Sequence, residues 1–114
     1  MTIPDEILTE LRAKHPRGVK VFSLSDGRAF AFQAASADHF RSHKADMLQI
    51  VTNPAVAATA GERLAEELCV WPSREDFRRL RDEAPGVAGR IGDQMAEMAG
   101  GGITLVEGKA DAWR

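Results

Sequence analysis

The spacing of apolar residues changes along the chain and predicts an α+β protein. Near the start, Ile7, Leu8 and Leu11 recur at the spacing of one helix face. Pro4 is a residue type that favours the first turn of a helix, so we predict a first helix over residues 4–14. The pattern then changes to two short apolar runs before helical spacing returns.

The two apolar runs, residues 19–24 and 28–34, flank a turn that contains Asp26-Gly27. Asp-Gly tolerates the positive φ angles of a tight turn, so the runs predict a β-hairpin. With Asp26-Gly27 as a two-residue loop, Val21 would face Phe32. That register predicts one apolar face of four residues, namely Val19, Val21, Phe30 and Phe32, and a second of Phe22, Leu24, Ala29 and Ala31. Both faces therefore need a cover, and we expect the helices that follow to supply it.

Four further helices are predicted. Ser36 and Ser73 are the predicted N-caps of the first and the third. The second is predicted to end at Pro72 and the fourth at Gly100–Gly102. The first covers residues 37–50. The predicted apolar stripes are Phe40, Met47, Leu48 and Val51 in the first helix, Val56, Ala60, Leu64, Leu68 and Trp71 in the second, Phe77, Leu80 and Ala84 in the third, and Val87, Ile91, Met95 and Met98 in the fourth.

The length of 114 residues is typical of a single domain, which we assign to residues 1–114 with a polar tail from about residue 107. Residues 103–106, Ile-Thr-Leu-Val, are a candidate third strand. The predicted fold is thus an N-terminal helix, a hairpin with or without that third strand, and a bundle of about four helices.

Charge and cysteine content limit the classes of function. The chain has 15 basic and 17 acidic residues and a net charge of −2, which argues against a nucleic-acid partner. The lone Cys69 excludes an internal disulfide, and its apolar neighbours predict a buried, inert thiol. The acidic start and the lack of a long apolar run predict a soluble protein of the cytoplasm, with no membrane partner.

His39 and His43 lie four residues apart, with Asp46 less than one turn further on. Two imidazoles and a carboxylate are ligands that zinc accepts. The alternative, which we favour, is a solvated helix face among charged neighbours. We therefore expect neither a metal nor another cofactor.

Arg74, Arg78 and Arg81 share one side of the predicted third helix and could bind phosphate or an acidic partner. Acidic residues are interleaved with them, and ion pairs within the helix are the interpretation that we favour. No nucleophile, acid–base pair or phosphate loop is recognisable, so the sequence gives no reason to expect an enzyme.

Met95, Met98 and Trp113 are the remaining candidates for binding a partner. Methionine adapts to varied apolar surfaces, and tryptophan is frequent at the centres of interfaces. Core packing is the alternative for either methionine, and packing onto its own domain is the alternative for Trp113.

Three short motifs follow one another within residues 18–102. They are a hairpin with a glycine in its turn, Cys69-Val70-Trp71-Pro72 at a predicted helix end, and Pro85-Gly86-Val87 at the start of the last helix. In this order the chain resembles small bacteriophage proteins described as tail assembly chaperones or tail accessory proteins.

This resemblance implies a non-enzymatic protein in the cytoplasm of a bacterial host. Its partner would be the tape-measure protein, a long helical chain prone to aggregation, or another tail protein. Two alternatives stay open: a minor structural component of the tail or baseplate, present in the virion, and, more remotely, a small metal- or phosphate-dependent enzyme. A homo-oligomer also stays open.

Overall fold

The order of helices and strands agrees with the α+β prediction. The computed structural model describes residues 3–98. Within this range the elements are α1 (Asp5–Lys14), β1 (Val19–Ser23), β2 (Ala29–Gln33), α2 (Ala37–Met47), a 3-10 turn (Leu48–Ile50), α3 (Pro54–Ala58), α4 (Ala60–Leu68), β3 (Cys69–Trp71), α5 (Arg74–Glu83) and α6 (Pro85–Glu97). None of these helices has the length and apolar character needed to cross a membrane.

The three strands form one antiparallel sheet in the order β1-β2-β3. Its third strand is Cys69–Trp71, where Cys69 pairs with Phe32 and Trp71 with Ala31. The prediction of a helix continuing to Trp71 is therefore wrong, because α4 ends at Leu68. Pro72 disfavours helical geometry at Trp71, and pairing with β2 supplies the backbone partners instead. The candidate strand at residues 103–106 lies outside the described residues.

The hairpin turn has three residues, and this corrects the predicted register by one position. Leu24 N donates to the carbonyl of Arg28 at 2.8 Å, and Gly27 N donates to that of Leu24 at 3.1 Å. A two-residue turn of the predicted type needs positive φ at both positions, whereas only Gly27 has it, at +95°. Val21 consequently pairs with Ala31 rather than with Phe32.

Asp26 holds this turn closed. Its carboxylate accepts from the Arg28 backbone N–H at 2.9 Å and from Arg28 Nε at 2.8 Å. The side-chain hydrogen bond from Arg28 lowers the pKa of Asp26 below its ordinary value. The turn is thus closed by a charged contact at the solvent-exposed end of the hairpin.

The corrected register separates phenylalanine from valine on the two faces of the sheet. The phenylalanine face, which consists of Phe22, Leu24, Phe30 and Phe32, packs against α4, α5 and α6. The opposite face, which carries Val19, Val21 and Ala31, packs against Ile3, Ile7, Leu8 and Leu11 of the N-terminal segment and α1. Both faces are covered, as predicted, but α1 covers one of them.

Phe77 of α5 is the centre of the larger core. Its ring meets those of Phe30 and Phe32 edge to face, with centroid distances of 5.8 and 5.5 Å. Ser73 caps α5 as predicted, accepting from Asp76 N at 3.0 Å. The cap fixes where α5 begins and so places Phe77 against the sheet.

Helices α4 and α6 approach one another through glycines. A Cβ atom at Gly92 would overlap the carbonyl group of Gly61 and would lie 2.8 Å from its Cα. A Cβ atom at Gly61 would lie 2.9 Å from the carbonyl oxygen of Gly89. The two backbones are therefore in direct contact, which leaves no space for a side chain between them.

Candidate functional site

Large apolar side chains at the end of α2 are exposed instead of packed in the core. The exposed fractions are 51% for Met47, 80% for Leu48, 67% for Ile50 and 88% for Val51. We call these four residues the apolar strip. Isolated apolar residues are common on protein surfaces, whereas four within five positions are typical of a surface that binds a partner.

A groove of about 690 Å³ lies beside this strip, between α2 and α6. Ala37, Phe40 and Met47 line it from α2, and Ala96 lines it from α6. Both helices pack on α4, so the groove is the gap that remains between two neighbours of one central helix. Met47 belongs to both surfaces and makes the apolar strip continuous with the groove.

The two rims of the groove carry opposite charge. Arg41 and Lys44 form a cationic rim on α2, and Asp93 and Glu97 form an anionic rim on α6. Lys44 Nζ lies 6.0 Å from the centroid of the Phe40 ring, within the range of a cation–π contact. The groove therefore combines an apolar lining with charged edges, as many protein-docking sites do.

His43 fixes the position of α2 relative to α4. Its side chain is buried, and Nδ1 lies 3.3 Å from the carbonyl oxygen of Ala60. Because a carbonyl oxygen only accepts, this ring nitrogen is the donor. The remainder of the ring reaches the groove wall, so His43 supports the groove from behind.

The three metal-ligand candidates are directed to different partners. His39 Nδ1 accepts from Ser36 N at 3.1 Å and so completes the cap of α2, while His43 contacts Ala60. Asp46 forms an ion pair with Arg63 at 3.1 Å. Within residues 3–98 no three histidine, cysteine or carboxylate side chains gather in a way that could hold a metal ion.

The three candidate arginines of α5 contact α4, so the prediction of ion pairs within the helix is wrong for them, whereas Arg79 does pair within α5. Arg78 Nε lies 3.0 Å from Glu66, and Arg81 Nε lies 3.0 Å from Glu62. Arg74 donates to the carbonyl oxygen of Glu67 at 2.9 Å. The sequence could not show this because the neighbour of α5 is set by the tertiary fold.

The other candidates for partner binding differ in their exposure to solvent. Met95 is buried in the core, where it belongs to the cluster around Phe77, so it offers a partner almost no surface. Met98 is 39% exposed and lines a smaller cleft with residues 17–20. Trp113 lies outside the described residues.

Cys69 is buried, as predicted, at the start of β3. Burial raises the pKa of its thiol to about 11, and its S–H contacts the carbonyl oxygens of Trp71 and Ser73 at 3.5 and 3.6 Å. A thiol that stays protonated at neutral pH is a poor nucleophile. The described residues thus give Cys69 a packing role.

We expect Cys69 to react slowly with a thiol reagent in the native protein. A pKa of about 11 in place of 9.0 leaves about a hundredfold less thiolate at pH 8. Labelling with a chromogenic disulfide at pH 8 should therefore be at least ~100-fold slower in buffer than in concentrated urea. A Cys69→Ser variant should not react in either solvent, and equal rates for the native and unfolded protein would contradict the assignment.

The sequence did not identify this site. The residues missed are Phe40, Met47 and Ala96 in the groove, and the exposed Ile50. One signal was present, since four of the five residues 47–51 are large and apolar, which is more than one helix face needs. Not all of these side chains can turn toward one core, so partial exposure is the expected result.

The fold and the groove define a small α+β protein with an apolar groove between charged rims. The chain matches no protein family model, no curated protein and no solved structure.

Proposed function

We propose that the protein is a non-enzymatic chaperone of bacteriophage tail assembly that binds an apolar helical segment of a client such as the tape-measure protein. The observation that carries this proposal is the exposed apolar strip, which is continuous with the groove between α2 and α6. The proposed place of action is the cytoplasm of the bacterial host. The order of motifs along the sequence supports the assignment to tail assembly.

A helix is the form of client that best fits this surface. An amphipathic helix presents apolar side chains at i, i+3, i+4 and i+7, and it can place that stripe in a groove between two helices. Burial of apolar area supplies about 25 cal/mol per Å². Met47, at the junction of strip and groove, can adapt its shape to different client side chains.

The proposed function also explains why the strip stays exposed on a folded protein. Leu48, Ile50 and Val51 add nothing to the core, and exposed apolar residues favour aggregation. A chaperone must present such residues so that they can cover similar residues of the client. Capture of the client then buries both surfaces at once.

The proposal predicts a neighbouring gene for a very long helical protein, and peptides of that protein provide the test. We would tile its sequence with peptides of about 20 residues, which span some 30 Å as helices. Peptides with a helical apolar stripe should bind the full chain in fluorescence anisotropy. Leu48→Asp combined with Val51→Asp should weaken this binding at least tenfold, because it places carboxylates on the docking surface.

Val87→Asp is the matched control. Val87 is also an exposed apolar residue, but it lies in the first turn of α6, about 9 Å along the helix from Asp93. This variant should bind the peptides like the wild type. The proposal fails if no peptide binds, or if the strip variant and the control bind equally well.

A further inference from the structure

The charged residues on the two rims of the groove restrict which partner fits, in addition to the apolar lining. Lys44, Asp93 and Glu97 form no ion pairs among residues 3–98. Arg41 is 79% exposed in its side chain and lies 3.7 Å from Asp38, a contact on an open surface that contributes little. Among residues 3–98, therefore, no strong ion pair competes with a bound partner for these four charges.

A helix bound by its apolar stripe can lie in the groove in two directions. The directions are related by a half-turn about the axis that points out of the groove. This rotation keeps the stripe in contact with Phe40, Met47 and Ala96, but it exchanges the two flanks of the helix. The apolar contact therefore distinguishes the two directions poorly, whereas rims of opposite charge distinguish them well.

We infer that the partner helix carries acidic residues along one flank of its apolar stripe and basic residues along the other, and that the charged rims set its direction in the groove. This inference rests on the proposed function and adds the chemistry of the client. In the favoured direction the acidic flank faces Arg41 and Lys44, and the basic flank faces Asp93 and Glu97. In the opposite direction like charges meet on both rims.

The preference for direction should be about tenfold or more at low salt, since several exposed charge contacts change from attraction to repulsion together. It should decrease near 1 M salt, where the screening length falls to about 3 Å. The apolar contribution to binding does not weaken in the same way. Direction and affinity therefore depend differently on salt, and this difference identifies the rims as the cause.

Two designed peptides of about 18 residues test the inference. They share one composition and one apolar stripe, and they differ only in which flank carries Glu and which carries Lys. A paramagnetic label at the peptide N-terminus broadens the nearest methyl signals of the full chain. Ala37 and Met47 lie at the two ends of the α2 wall, about 15 Å apart, and report the direction.

We expect the two peptides to bind with similar affinity and to broaden opposite ends of the groove. A variant with exchanged rims, Arg41→Glu and Lys44→Glu with Asp93→Lys and Glu97→Lys, should reverse the direction of each peptide. A third peptide with Gln on both flanks should bind without a preferred direction. Thermal melts would verify that the exchanged-rim variant is folded, and single-rim variants would replace it if it is not.

The outcomes separate the inference from the proposed function. Peptides that bind at the apolar strip but lie in the same direction, or in both directions equally, overturn the inference alone. Peptides that do not bind at all overturn both. A full chain that sediments as a dimer, and that Leu48→Asp converts to a monomer, would assign the apolar strip to a second copy of the chain and would also overturn both.

Discussion

Replacing Gly92 with alanine should destabilise the fold by about 3 kcal/mol or more. Overpacking typically costs 1–3 kcal/mol, and the cost is highest where the neighbouring atoms cannot move aside. Here the added methyl group would overlap the backbone carbonyl of Gly61, which is part of α4. The two helices would have to separate, and the core between α4 and α6 would open.

Gly89→Ala is the matched control, because it makes the same change one turn earlier in the same helix. The nearest atom to its new methyl group would be Glu62 Cγ, at 3.9 Å, an ordinary contact. Alanine favours a helix over glycine by up to about 1 kcal/mol, so this variant should be as stable as the wild type or more stable. Urea denaturation followed by circular dichroism measures both variants, and equal destabilisation would contradict the close approach of α4 and α6.

Local signals in the sequence were sufficient to predict most helix boundaries. Ser36 and Ser73 were predicted as N-caps, and each accepts a backbone hydrogen bond from the third residue of its helix. Capping needs only residues within one turn, so the sequence contains all the information. The order of a first helix, a hairpin and later helices follows from the same kind of local evidence.

The strand register depended on a detail that the sequence did not specify. Asp-Gly fits both a two-residue loop and the three-residue loop that includes Ser25, and the choice depends on the φ angle of Asp26. A shift of one residue changes the partner of every side chain across the hairpin. As a result Phe22 shares a face with Phe30 and Phe32, whereas the sequence-based prediction placed it on the opposite face.

The third strand and the groove were missed because both depend on residues distant in sequence. Apolar residues at helical spacing continue from Leu64 to Trp71, and only pairing with β2 explains why the helix stops at Leu68. The stripe of α2 was likewise compatible with a core position. Whether another element covers Met47 depends on where α6 packs, and periodicity within α2 contains no information about that.

A second large effect is expected for Phe77→Ala, which should lower the free energy of unfolding by about 3–5 kcal/mol. The ring is fully buried, and it contacts the edges or faces of Phe30 and Phe32 on the central strand. Its removal leaves a cavity between α5 and the sheet that neither element can fill without moving. This loss is a large share of the roughly 5–15 kcal/mol that stabilises an ordinary domain.

Phe40→Ala makes the same chemical change in the groove and should cost less than about 1.5 kcal/mol, because the Phe40 ring is only half-buried and its removal opens no closed cavity. The same substitution should weaken binding of the client peptides, whereas Phe77 contacts no client. If the core and the groove are correctly assigned, chemical denaturation will show the larger loss of stability for Phe77→Ala. Peptide binding will show the larger loss of affinity for Phe40→Ala. A Phe40 variant that unfolds as easily as the Phe77 variant would show that Phe40 belongs to the core. The groove would then not be a docking surface.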